Sequence, residues 1–206
     1  QKAVGDTQGI LLEQAESYET SAYLRQWFAS QALLTLNKYR VLIPQYEYRD
    51  VLKVILSRAA RSTRLTTHFD LDFPKAPKTK PYYSYKHSRT CQPTTNAAQF
   101  IRRYTYDTIK RIKEFAQVRH PANATILCAD ARTASFPRCD LVVTSPPYVG
   151  LIDYHEQHKY AYELLGLERK DSAEIGPAQK GTSNGAKQHY SEDITRVFQN
   201  MKSSLK

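Results

Sequence analysis

Leu141-Val142-Val143-Thr144-Ser145-Pro146-Pro147-Tyr148 is the stretch on which the fold turns. Four apolar or β-branched residues in a row fit a buried parallel strand. Two prolines then stop it, because proline cannot donate to a sheet and forces the residue before it into an extended conformation. Ser145 and Tyr148 are thereby expected on a stiff loop at the carboxyl end of a strand, the edge at which open α/β sheets bind ligands. Upstream, Thr125-Ile126-Leu127-Cys128-Ala129 reads as a second short strand, ending at Asp130. Two such strands predict an α/β fold with Asp130 and Ser145 on one edge of a parallel sheet.

The residues at that edge suit one kind of chemistry. An exocyclic amino nitrogen of a nucleobase is a poor nucleophile while its lone pair is delocalised into the ring. Acceptors aimed at the amino hydrogens localise that pair. The Ser145 hydroxyl and the Pro146 carbonyl are such acceptors, and Tyr148 offers a flat face for an extruded base. The competing reading of Pro-Pro-Tyr is a strand-terminating turn with a packed tyrosine.

Residues 140–158, DLVVTSPPYVGLIDYHEQH, closely resemble the catalytic motif of amino-group DNA methyltransferases. The resemblance extends well over residues 125–167 and less closely over 48–118. It implies a Rossmann-like sheet, S-adenosyl-L-methionine as cofactor, double-stranded DNA with a flipped base as substrate, and a cytoplasmic setting at the nucleoid of a bacterium or archaeon, as in restriction–modification systems. It also implies Ser145, Pro146, Pro147 and Tyr148 as the catalytic set. A serine at the first position is commoner in the enzymes making N4-methylcytosine than in those making N6-methyladenine. By the same resemblance Asp130 accepts a hydrogen bond from the cofactor's adenine; a cap or turn at the strand end is its alternative role. The family holds the methionine end of the cofactor with a Gly-rich loop, and no Gly-x-Gly occurs in these 206 residues. This predicts a part of a methyltransferase, completed by a second chain or a further segment. A non-catalytic DNA-recognition subunit is the reading from a different class.

Charge points the same way. The net charge is +10, and residues 49–119 hold 16 Lys and Arg against 5 Asp and Glu. Arg58, Arg61 and Arg64 recur every third residue, and Lys86 and Arg89 follow in a stretch rich in proline and tyrosine. Basic and aromatic residues interleaved in this way suit a nucleic-acid backbone, so these five are the candidate DNA contacts. A solvated basic surface is the alternative.

Around these motifs the pattern predicts helices over 8–40, 48–62, 95–118, 155–166 and 191–205, an irregular proline-rich insertion over 65–93, and a flexible polar stretch over 168–189. Residues 1–120 form a helical, basic region with a DNA-contacting insertion at 58–93, and 121–206 a partial catalytic domain. Cys91, Cys128 and Cys139 are too few and too scattered for a disulfide scaffold or a zinc site. His155-Glu156-Gln157-His158 lacks the four-residue histidine spacing of zinc proteases, so no metal is expected. No run of apolar residues reaches the length of a membrane span.

Overall fold

The computed structural model describes residues 20–68, 70–71 and 73–206. The part of the first predicted helix before Thr20 lies outside them. The chain divides into two compact units: residues up to His120 together with Lys159–Glu168, and Pro121–His158 together with Arg169–Lys206.

The first unit is a helical core. Helix α1 (Ala22–Trp27) begins at Ser21, whose hydroxyl accepts from the Leu24 N–H at 3.2 Å. It ends at Phe28, and α2 (Ser30–Leu42) starts afresh, so the predicted single helix is broken at extended Phe28 and Ala29. The break lets Trp27 and Phe28 both enter the core. Helix α3 (Arg49–Thr63) buries Ile55, Leu56, Ala59 and Ala60, an i, i+4 stripe of small and branched residues. Leu24, Leu33, Leu36 and Leu56 meet Tyr160, Ala161 and Leu164 of α6 (Lys159–Leu165) in one cluster.

Between α3 and α4 (Ala98–Val118) the expected irregular stretch contains a hairpin, β1 (Tyr82–Ser84) against β2 (Arg89–Cys91), antiparallel with Tyr82 opposite Cys91. The Asn96 side chain accepts from the Ala98 N–H at 3.0 Å at the start of α4. Ile101 and Tyr104 of α4 pack on the core, whereas Ile112 and Phe115 farther along are exposed.

The second unit holds α5 (Tyr154–Gln157), two 3-10 turns (Asp171–Ala173 and Ala178–Lys180) and α7 (Asn184–Lys202). The predicted parallel sheet is not found among the described residues. Residues 125–129 and 141–144 lie outside any paired strand. Ile126 is 93% and Val143 87% exposed. A parallel strand needs hydrogen-bonded neighbours and cover on both faces, and neither run has them. One isolated parallel bridge is present: the Cys139 N–H donates to the Ser204 carbonyl at 2.9 Å and the Lys206 N–H to the Cys139 carbonyl at 3.1 Å.

Candidate active site

The Ser145-Pro146-Pro147-Tyr148 loop lies across the start of α7. The Tyr190 hydroxyl donates to the Pro147 carbonyl at 2.8 Å. Ser145 and Tyr148 are exposed, while Pro146 and Pro147 are half-buried. The two prolines therefore act as the anchored side of the loop and present the serine and tyrosine to solvent.

The chain beyond the motif is held just as firmly. The Gly150 N–H donates to the Gly176 carbonyl at 2.9 Å, and the Ala178 N–H to the Ile152 carbonyl at 3.3 Å. The Gln179 N–H reaches the Asp153 carboxylate at 3.0 Å, and the Tyr154 N–H donates to Glu174. The polar stretch 168–189, expected to be flexible, is thus a brace along 150–154. Glycine is required at two places in it. Gly150 has φ +68°, and a Cβ there would sit 2.6 Å from the Gly181 carbonyl oxygen. Gly176 has φ +63°, and a Cβ there would sit 2.7 Å from the Tyr190 ring.

Asp130 begins a turn rather than ending a paired strand. Its carbonyl accepts from the Ala134 N–H at 2.8 Å. Its carboxylate is taken up by Arg132: Oδ1 accepts from the Arg132 backbone N–H and Nε, and Oδ2 from Nε and Nη2, over 2.7–3.1 Å. These bonds hold the Asp130 carboxyl below the usual carboxylate range. Arg132 Nη1 reaches Asp193 on α7 at 3.0 Å. Two turns further along the same helix, Asn200 donates to the carbonyls of Ala131 and Ala134 at 3.0 and 2.8 Å.

Tyr190, Asp193, Val197, Asn200 and Ser204 thus form one face from α7 onward, at helical spacing. That face ties down the Ser145–Tyr148 loop at one end and the Asp130 turn at the other. Sequence periodicity places Ile194, Val197, Phe198 and Met201 on the apolar face of this helix and leaves out the polar members. The available signal is Asn200 at i+3 from Val197. A short polar side chain at that spacing, on a helix flanked by irregular chain, marks a surface that satisfies loop carbonyls.

Three N–H groups of Arg132, its backbone N–H, Nε and Nη2, engage both oxygens of the Asp130 carboxylate. The carboxylate that the resemblance assigns to the cofactor's adenine is thus engaged within the chain, and no Gly-x-Gly occurs in the sequence.

The predicted DNA contacts divide sharply. Arg58 pairs with Asp107 at 2.6 Å and lies over the Tyr104 ring at 4.4 Å. Arg64 is 2% exposed; its guanidinium donates to the Leu71 carbonyl and lies 4.4 Å from the centre of the Tyr160 ring. Burial lowers its proton affinity. Arg61 is half-buried on the same helix. Arg64, at the C-terminal cap of α3, is core rather than a surface cation. Lys86 and Arg89 lie exposed on the hairpin.

Over nine-tenths of its length this chain is similar to a type II methyltransferase. The relative is Type II methyltransferase M.MjaII of Methanocaldococcus jannaschii, 41% identical over 91% of this chain. The chain spans about two fifths of that protein's length, the aligned part being 39% of it. No protein-family model and no solved structure matches. The similarity is therefore to a part of a type II methyltransferase.

Proposed function

We propose that this chain is the catalytic-motif part of a DNA methyltransferase that modifies an exocyclic amino group, cytosine N4 in the first instance and adenine N6 as the alternative. The observation that carries this is the Ser145-Pro146-Pro147-Tyr148 loop, exposed at its serine and tyrosine and fixed through Pro147 to Tyr190. Because Tyr190 engages the Pro147 carbonyl, the Pro146 carbonyl and the Ser145 hydroxyl are the acceptors assigned to the base. They draw on the two amino hydrogens, localise the nitrogen lone pair and orient it. Tyr148 stacks on the flipped base. The amino proton leaves after the nitrogen has been alkylated, so no cysteine nucleophile is involved.

Residues 121–206 carry this chemistry in the proposal, and residues 1–120 carry DNA contact through Lys86 and Arg89. S-adenosyl-L-methionine is the methyl donor of the enzyme family this chain resembles. Its binding site is assigned to a second chain or further segment, since Asp130 is engaged by Arg132.

The test is transfer of a labelled methyl group to duplex DNA, with and without the complementary segment, followed by nucleoside analysis. Labelled N4-methylcytosine is the expected product. Labelled N6-methyladenine would select the alternative. Label confined to protein or RNA would overturn the reading.

A further inference from the structure

We infer that the hairpin formed by β1 and β2 is a DNA-reading element that enters the major groove, with the rings of Tyr83 and Tyr85 facing the base edges. The inference rests on the reading that DNA is the substrate.

The hairpin has two unlike sides. Its inner side is anchored. Ser84 and Cys91 are buried, and the Tyr82 hydroxyl lies 3.1 Å from His68 Nδ1. The His87 ring meets the His68 ring edge-on at 4.5 Å between centroids. Its outer side is open. Tyr83 is 53% and Tyr85 82% exposed, and their rings meet edge to face at 5.0 Å. Thr90, paired with Tyr83 across the strands, is exposed beside them. The four-residue tip, Tyr85 to Ser88, is closed by the His87 N–H donating to the Ser84 carbonyl at 3.2 Å, with Ser88 at φ +47°.

Two large aromatic rings clustered in water mark a contact surface, and charge says what kind. No carboxylate occurs from Phe73 to Tyr106, while Lys75, Lys78, Lys80, Lys86 and Arg89 all fall in the first half of that stretch. A partner must therefore be polyanionic. A two-stranded ribbon matches the width of the B-form major groove. In that pose Lys86 at the tip and Arg89, exposed although it stands opposite Ser84, meet the phosphates on the groove walls. The tyrosine rings and the Thr90 hydroxyl face base edges, including thymine methyls. His68 and Cys91 hold the ribbon from behind and touch no DNA.

The experiment measures binding of the full chain to a mixed-sequence duplex oligonucleotide across a salt series, by fluorescence anisotropy. Tyr83→Ala with Tyr85→Ala is expected to weaken binding by about tenfold or more while leaving the salt slope unchanged, because aromatic contacts carry no counterion release. Tyr83→Phe with Tyr85→Phe is expected to retain most of the affinity, since the rings remain. Lys86→Ala with Arg89→Ala is expected to lower the log–log slope by roughly 0.9 for each phosphate no longer neutralised. Glucosylated hydroxymethylcytosine in the duplex blocks the major groove and is expected to weaken the wild type and remove its advantage over the tyrosine-to-alanine variant.

Wild-type affinity in both hairpin variants would overturn the inference, as would a wild type indifferent to glucosylation but displaced by the minor-groove ligand netropsin. Methyl transfer with hairpin-independent binding would sink the hairpin role and leave the methyltransferase reading standing. Hairpin-dependent binding without methyl transfer in the presence of the complementary segment would do the reverse. A wild type that binds no duplex would remove both.

Discussion

The Tyr190 hydroxyl and the Pro147 carbonyl are joined by a 2.8 Å hydrogen bond, and the same tyrosine ring covers Gly176. Tyr190 therefore links the Ser145–Tyr148 loop and the brace behind it to α7. Tyr190→Phe removes the hydrogen bond and keeps the ring. A neutral hydrogen bond contributes about 1 kcal/mol net, so unfolding of this unit is expected to shift by that much. As a positioning residue, Tyr190 affects where the loop sits, so kcat for methyl transfer is expected to fall with little change in KM for DNA. Gly176→Ala, which drives a methyl group into the ring, is expected to lower kcat further. Unaltered kcat in both variants would remove Tyr190 from the site.

Ser145→Ala and Tyr148→Ala test the loop itself. Both side chains are exposed, so truncation leaves the core intact. Contacts that strengthen only in the transition state affect turnover, while phosphate contacts carry affinity. Methyl transfer is expected to fall on the order of a hundredfold for the Ser145 variant, as for removal of an oriented hydrogen-bond partner, with duplex affinity nearly unchanged. Parallel losses of binding and turnover would contradict these roles.

Arg64 separates a structural arginine from a DNA-facing one. Its guanidinium is enclosed by the Leu71 carbonyl and the Tyr160 ring. Arg64→Ala leaves the carbonyl of the half-buried Leu71 without its donor and empties the space under the ring, which costs roughly 1–3 kcal/mol. A lower melting temperature with an unchanged salt slope for DNA binding is the expected outcome. A flattened slope with an intact fold would place Arg64 at the DNA after all.

The parts of this structure legible in the sequence are those set by local pattern. Periodicity predicts a helix over 48–62, and α3 lies at Arg49–Thr63, because Ile55, Leu56, Ala59 and Ala60 form an unbroken stripe. The same kind of pattern merges α1 and α2 into one helix, because the Tyr23, Trp27, Ser30 and Leu34 stripe continues straight through the break at Phe28 and Ala29. Leu24 and Phe28, which widen that stripe, are buried with Trp27, but nothing in the stripe marks the break. The hairpin is hidden in the sequence because prolines at 74, 77 and 81 dominate its surroundings, and its strands have three residues each. The motif loop is legible from Pro-Pro alone, but its supports are not. Tyr190 and Asn200 act through contacts 43 to 69 residues away in sequence, which periodicity does not encode. Arginine spacing likewise says nothing about direction: only the packing of Tyr160 shows that Arg64 points inward.

Asp130 gives a pH-dependent prediction with a definite sign. Its hydrogen bonds from Arg132 hold the folded carboxyl below its unfolded value, which is about 3.9. The unfolded state thus binds more protons at acid pH, and stability rises with pH there. The contribution is fully present above the unfolded value and is lost as pH falls through the folded one. Urea unfolding of the wild type is expected to weaken steadily below about pH 4, and Asp130→Asn is expected to flatten that dependence. An equally steep acid limb in the variant would assign the loss to other carboxylates.

The same pair gives a prediction about a methyl donor. A close approach of backbone to a cofactor's carboxylate and ribose is what glycine permits, and no Gly-x-Gly is present. An adenine amino group would have to compete with Arg132 for the oxygens of Asp130. The 206 residues alone are therefore expected to bind S-adenosyl-L-methionine weakly or not at all in calorimetry. Arg132→Leu frees the carboxylate but supplies no backbone cradle, so it is expected not to restore tight binding. Addition of the complementary segment should bring binding and methyl transfer together. Stoichiometric, tight binding by the wild-type chain alone would show that the cofactor has a site among these residues and that Arg132 yields Asp130 to it.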